Sequence, residues 1–220
     1  MIRAVTLATM AFVLTACAAR APRPAVVVEQ GAPEPTGWRA LATPADQQRL
    51  ALVPSLWSSA IGSVPARLRG KVRAEGALLA PAALELPAPP PGPYRCRLVR
   101  LGGRMGFQSF APDFCYVEGD TNTLSFTKQT GSSLPGGWLH PDTPTRLVFL
   151  GALPRAGEKD VPLYGKHPDQ DVAGVVERVS PFRWRMVLTR AGRGAVLDVY
   201  ELVPVPPAVP GAVAALPAKP

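Results

Sequence analysis

The sequence predicts a mainly β fold: a small antiparallel barrel, or a sandwich of the same strands, preceded by a short, kinked helical segment. Three observations carry that reading. Tyr94-Arg-Cys-Arg-Leu98 alternates strictly, with Tyr94, Cys96 and Leu98 on one face and Arg95 and Arg97 on the other, the pattern of a half-buried strand. The alternation returns late in the chain, where Phe182, Trp184, Met186 and Leu188 face away from Arg183 and Arg185. Before both, Leu50, Val53, Trp57 and Ile61 recur at helical spacing instead.

At the N-terminus, Arg3 is followed by an apolar run from Ala4 to Val13, then Leu14-Thr15-Ala16-Cys17. This tetrapeptide resembles the lipobox of bacterial lipoprotein signals. The apolar run is too short to cross ~30 Å of hydrocarbon, which fits a cleaved signal and not a membrane helix. The resemblance implies removal of residues 1–16 and a diacylglycerol on the Cys17 thiol. It places the protein in the periplasm, tethered to the outer membrane. Two or three acyl chains anchor durably where one does not. Residues 17–37 then form an Ala- and Pro-rich tether without apolar period. In polyproline conformation, at ~3.1 Å per residue, it reaches roughly 60 Å.

The globular domain is expected over 38–204, as one unit. Its helical part, 43–69, starts at Thr43-Pro44-Ala45-Asp46: a capping hydroxyl, a proline at the first helical position and a capping acid. Pro54 inside the run predicts a kink or two short helices, packed on the sheet. Prolines 87, 89, 90, 91 and 93 mark a linker across 80–93. Strands are expected at 94–101, 113–119, 122–129, 145–151, 172–179, 181–188 and 195–203, with turn residues between most of them. Seven or so short strands after one helical segment favour a closed barrel, which removes exposed edges, or a sandwich. Residues 205–220 read as a disordered Pro/Ala tail.

Composition narrows the partners. The 220 residues are 47% hydrophobic with net charge +8, mostly from arginine. A tethered envelope protein meets little nucleic acid, so the charge points to lipid headgroups, lipopolysaccharide phosphates or acidic glycans. Alternatively, arginine shares a GC-rich coding bias with the Ala and Pro excess. With Cys17 assigned to lipid, Cys96 and Cys115 remain as an even pair. In an oxidising compartment they read as a disulfide closing about twenty residues, worth roughly 3 kcal/mol. Two buried thiols are the alternative.

The stretch Trp38 to Pro204 resembles a bacterial family, the domain of unknown function 4893. The residues that carry the resemblance include Tyr94-Arg-Cys-Arg, Thr127-Lys-Gln-Thr-Gly-Ser132, Gly136-Gly-Trp-Leu-His-Pro141 and Arg146-Leu-Val-Phe-Leu-Gly151. Tyr164-Gly165, Asp171-Val-Ala-Gly174, Arg183-Trp-Arg185 and Leu197-Asp-Val-Tyr-Glu-Leu202 add to it. The resemblance implies a single family domain and brings no reaction with it.

Three clusters bear on chemistry. Arg95, Arg97, Arg183 and Arg185 form a basic stripe if their strands share one side of the barrel, a candidate surface for phosphate or carboxylate. Otherwise they are a solvated face paired to Glu118 or Glu177. His167, Asp169 and Asp171 offer a base with carboxylates or part of a metal set, but in no recognised metal spacing, and a turn between strands explains them as well. Thr130-Gly-Ser-Ser133 with Gly136-Gly137 is a hairpin loop by preference, a phosphate cradle by alternative. Trp138 and Trp184 are expected in the core, with ligand-stacking platforms as the alternative. No metal and no cofactor is expected, and no catalytic set is evident. The leading function is a lipid-anchored, non-enzymatic domain that binds or scaffolds an envelope component through its exposed barrel face. The alternatives are an inhibitor-like barrel presenting loop 130–137 to an envelope protease or glycan hydrolase, and an envelope glycan or lipid enzyme built on His167, Asp169 and Asp171.

Overall fold

The computed structural model describes residues 36–120, 123–158, 160–190 and 196–207. The signal, Cys17, nearly all of the tether, and the tail from 208 lie outside them. The strictly alternating segments do what their period requires: they make a two-faced antiparallel sheet. Its strands are β1 (Gly92–Gly102), β2 (Gly106–Ser109), β3 (Asp113–Gly119), β4 (Leu124–Lys128), β5 (Gly136–Thr143), β6 (Arg146–Ala152), β7 (Asp171–Ser180), β8 (Arg183–Arg190) and β9 (Leu197–Pro204). They pair in the order β2-β1-β3-β4-β5-β6-β7-β8-β9, and β1 pairs again with β9. The sheet therefore closes into an eight-stranded antiparallel barrel, not a sandwich. The long β1 makes closure work. Its first half pairs with β3 and its second half with the short β2, while its other edge pairs with β9 from Tyr94 to Leu101.

An eight-stranded barrel is just wide enough for side chains to fill. Here Tyr94, Phe126, Phe149, Met186, Tyr200 and Leu202 pack its interior and are essentially inaccessible. Tyr94 meets Trp184 edge-to-face at 6.2 Å between ring centroids, and Phe126 meets Phe149 likewise at 6.1 Å. Cys96 on β1 and Cys115 on β3 are disulfide-bonded within this core, 5.9 Å apart at Cα, and so link neighbouring strands.

Part of the outer wall is equally apolar, and the N-terminal segment exists to cover it. Helices α1 (Trp38–Leu41), α2 (Pro44–Ala51), α3 (Val53–Gly62) and α4 (Arg69–Ala74) lie across β6 to β9 and β1. Leu50, Val53, Ala60 and Leu78 pack on Val99, Val148, Val175, Val187 and Val199 from the barrel's outside. The expected stripe is thus a packing face, with Trp57 and Ile61 half-buried at its margin. Pro54 divides the run, giving two helices with the break at Leu52. Thr43 caps α2 as expected: Asp46 N donates to its Oγ1 at 3.2 Å.

Two strands escaped the pattern. β2 is a four-residue continuation after the Gly102-Gly103 turn. β5 begins with two glycines, contains Pro141, and shifts register between Pro141 and Thr143. Such residues are poor strand formers, and β5 is held by partners on both edges instead. Phe182 departs from the expected interior row; it sits in the β7–β8 turn, 75% exposed.

Candidate binding groove

The four arginines do share the barrel's outer face, but three of them are engaged within the chain. Arg97 donates from Nε to Glu201 at 2.6 Å and from both terminal nitrogens to Glu75, at 2.5 and 2.9 Å. Arg183 donates from Nε to the other Glu201 oxygen at 2.5 Å. Arg185, nearly inaccessible, donates to Glu177 at 2.6 Å and to the carbonyls of Leu78 and Ala80, and lies 4.9 Å from the Trp57 ring centroid. Glu177 is the cross-strand neighbour of Arg185, as anticipated; Glu75 and Glu201 were not visible from the strand pattern alone. These guanidiniums fasten the helical segment to the barrel. The Glu75 and Glu201 hydrogen bonds, opposed by burial, raise the Arg97 pKa further. Arg95 alone of the four is exposed, beside Asp113, Phe114 and Thr130.

The 167–171 cluster also divides. Asp169 is exposed and pairs with Arg155 at 2.7 Å, which holds its carboxyl below the usual range. Asp171 is buried on β7 and accepts from Gly165 N at 3.0 Å; burial raises its pKa. The His167 carbonyl accepts from the backbone N–H of Gln170 and Asp171 at 2.8 and 3.0 Å, the geometry of a turn. Among the described residues no group of three or more His, Cys, Asp or Glu is placed to hold a metal ion. The Gly/Ser stretch is a hairpin connection between β4 and β5, with Gly136 and Gly137 already in β5. Lys128, which precedes it, is buried and bound to Asp113 and to the Thr130 carbonyl, both at 2.6 Å.

Missed by sequence reasoning is a second buried polar knot. Asp46 accepts from Thr43 Oγ1 at 2.8 Å, from Tyr164 Oη at 2.6 Å and from Arg49. Tyr164 in turn accepts from Thr43 N at 3.0 Å. Burial, seconded by the Asp46 hydrogen bond, pushes the Tyr164 phenol up to about 12. This knot pins the 160–165 loop against the start of α2, and that loop is one wall of a groove.

The groove opens where the helical layer ends, over the outer face of β3 to β6. Register places Glu118 opposite Ser125, Ser125 opposite Trp138, and Trp138 opposite Leu150, one straight row across four strands. The next row runs Tyr116, Thr127, Gly136, Ala152. Val161, Pro162, Leu163 and Tyr164 form the facing wall, and the volume enclosed is about 290 Å³. Gly136 carries this geometry: a Cβ there stands 3.0 Å from Val161, so any side chain pushes the loop out or fills the space beside Trp138. Trp138 is 51% exposed, contrary to the expected core position, whereas Trp184 is indeed buried in the barrel.

Two other cavities, of about 300 and 240 Å³, lie between the helices and the barrel wall. Their cationic lining includes Arg146 and Arg185, and those groups are already satisfied by Asp142 and Glu177. The groove differs. The side chains of Glu118, Ser125 and Thr127 make no hydrogen bond to another described residue, and no described lysine or arginine lines it. Polar groups left open beside an exposed indole are the arrangement of a binding surface.

A family model described as a domain of unknown function (DUF4893) matches residues 38–202. No curated protein matches the chain.

Proposed function

Because this chain belongs to the DUF4893 family, whose description carries no activity, we propose a function from its own residues. It is a lipid-anchored periplasmic protein whose barrel is a binding or scaffold domain, and the groove over β3 to β6 holds its envelope partner. One observation carries the proposal: the row Glu118–Ser125–Trp138 leaves hydrogen-bonding groups without a partner among the described residues, beside a half-exposed indole on a stretch of wall that the helices leave open. The anchor rests on Leu14-Thr15-Ala16-Cys17 and on the Pro-rich stretch that follows. The Cys96–Cys115 disulfide is in keeping with an oxidising compartment. The ion-paired arginine stripe and the divided 167–171 cluster favour binding over catalysis.

The test is a pull-down of the tagged full chain from detergent-solubilised envelope. Wild type retains an envelope component that Trp138→Ala does not. Equal recovery by both variants places the binding surface elsewhere.

A further inference from the structure

We infer that the groove is a glycan site, built for a short run of uncharged or N-acetylated pyranose rings. This deepens the reading of the groove as the binding face and rests on it. A pyranose offers a flat face of C–H bonds and a rim of hydroxyl and amide groups. The groove offers the complement. The Trp138 indole supplies a rigid apolar plane at low entropic cost. Beside it, Ser125 and Thr127 are hydroxyls that both donate and accept, and the Glu118 carboxylate accepts. Gly136, two residues from Trp138 on the same face, lets the Val161 side chain pack down onto β5, which sets a close, fixed wall beside the indole. Two strand spacings separate Glu118 from Trp138, about 10 Å, the reach of two pyranose rings.

Charge decides between ligand classes. The chain is basic, yet the only charged lining residue of the groove among those described is Glu118. An anionic headgroup or uronic acid is repelled there, while a neutral sugar loses nothing. Area decides against a protein partner. A stable protein interface covers about 800 Å² per side, whereas only Trp138 and Leu163 offer large exposed apolar side chains in the groove. A ligand that needs one aromatic plane and several hydrogen bonds fits; one that needs a broad apolar patch does not.

Isothermal titration of the detergent-solubilised full chain tests this with three probes: the tetramers of N-acetylglucosamine, of glucose and of galacturonic acid. The two neutral probes separate an N-acetylated source from a plain hexose one. At least one neutral tetramer binds saturably, and more tightly than the uronate. Trp138→Ala weakens that binding at least about tenfold, in the range of a lost aromatic contact, and Trp138→Phe restores most of it. Glu118→Gln narrows the gap between neutral and anionic probes. Silence from both neutral tetramers, tightest binding of the uronate, or unchanged binding by Trp138→Ala overturns the glycan assignment. If it falls while the envelope pull-down still depends on Trp138, the groove stands as the binding face for a different ligand.

Discussion

Glu201 on β9 lies between two guanidiniums, accepting from Arg97 through one oxygen and from Arg183 through the other. Its carboxylate is only 13% exposed. Charge-assisted hydrogen bonds in such settings are worth about 1.5–3 kcal/mol each, and removing one partner leaves the others with unmet charge. Glu201→Gln is therefore expected to lower the unfolding free energy by about 2 kcal/mol in urea titrations. A change below about 0.5 kcal/mol would class the network with ordinary surface pairs. Asp171 argues in the opposite direction. Burial raises its folded pKa above the unfolded value, so its protonated form is the better tolerated one. The stability it contributes is present at low pH and lost as pH rises through the folded pKa. Asn at 171 keeps an acceptor for Gly165 N without the charge. The melting temperature of Asp171→Asn minus that of wild type should thus grow as pH is raised from about 4 to 7, the direction set by a folded pKa above the unfolded one. A difference that shrinks or stays flat would show that Arg49 and His167 nearby already neutralise the carboxylate. At this scale the sequence was partly legible. The parity of Arg95, Arg97, Arg183 and Arg185 was plain from alternation, but their partner Glu75 comes from a helical segment that no strand register can place. Trp138 looked like core because aromatic residues usually are; its exposure follows from its outward place on β5, beyond the reach of the helices that cover β6 to β1.

Among the elements, β1 does the most. It pairs with β2, β3 and β9, and the disulfide ties it to β3 within the core. The bond spans 19 residues, so the chain-entropy account assigns it roughly 3 kcal/mol. Replacing both cysteines by alanine should lower the unfolding free energy by about that amount while leaving the far-ultraviolet circular dichroism of the folded barrel intact. Loss of the fold in the double variant would mean that the barrel cannot close without the bond. Helices α2 and α3 were readable because their signals are local: Thr43 and Pro44 start α2, and Pro54 splits it from α3, whereas α1 and nearly all of α4 fall outside the expected 43–69. The strands with strict alternation were readable for the same reason. β5 was not, since Gly136, Gly137 and Pro141 erase its period and only its neighbours' ladders make it a strand. The groove stands on β5, so the element hardest to read is also the one that bears Trp138.

For the whole molecule, closure and coverage divide the surface by use. The barrel's filled interior excludes a lumenal ligand. Helices α1 to α4 occupy the wall from β6 round to β1, and the Glu75–Arg97 ion pair with the Arg185 hydrogen bonds to the Leu78 and Ala80 carbonyls hold that layer in place. Beyond that layer, among the described residues, lies the outer face of β3 to β5 with its groove against the 161–164 loop. The most direct measurement of its role is photo-crosslinking in living cells, from a crosslinking residue placed at Leu163 on the groove wall or at Phe182 in the β7–β8 turn. Both positions are strongly exposed, at 70% and 75%, so accessibility alone does not separate them. The account predicts a discrete envelope adduct from position 163 that disappears with Trp138→Ala, and none from position 182. Adducts of equal yield from both positions, or an adduct at 163 indifferent to Trp138, would contradict it.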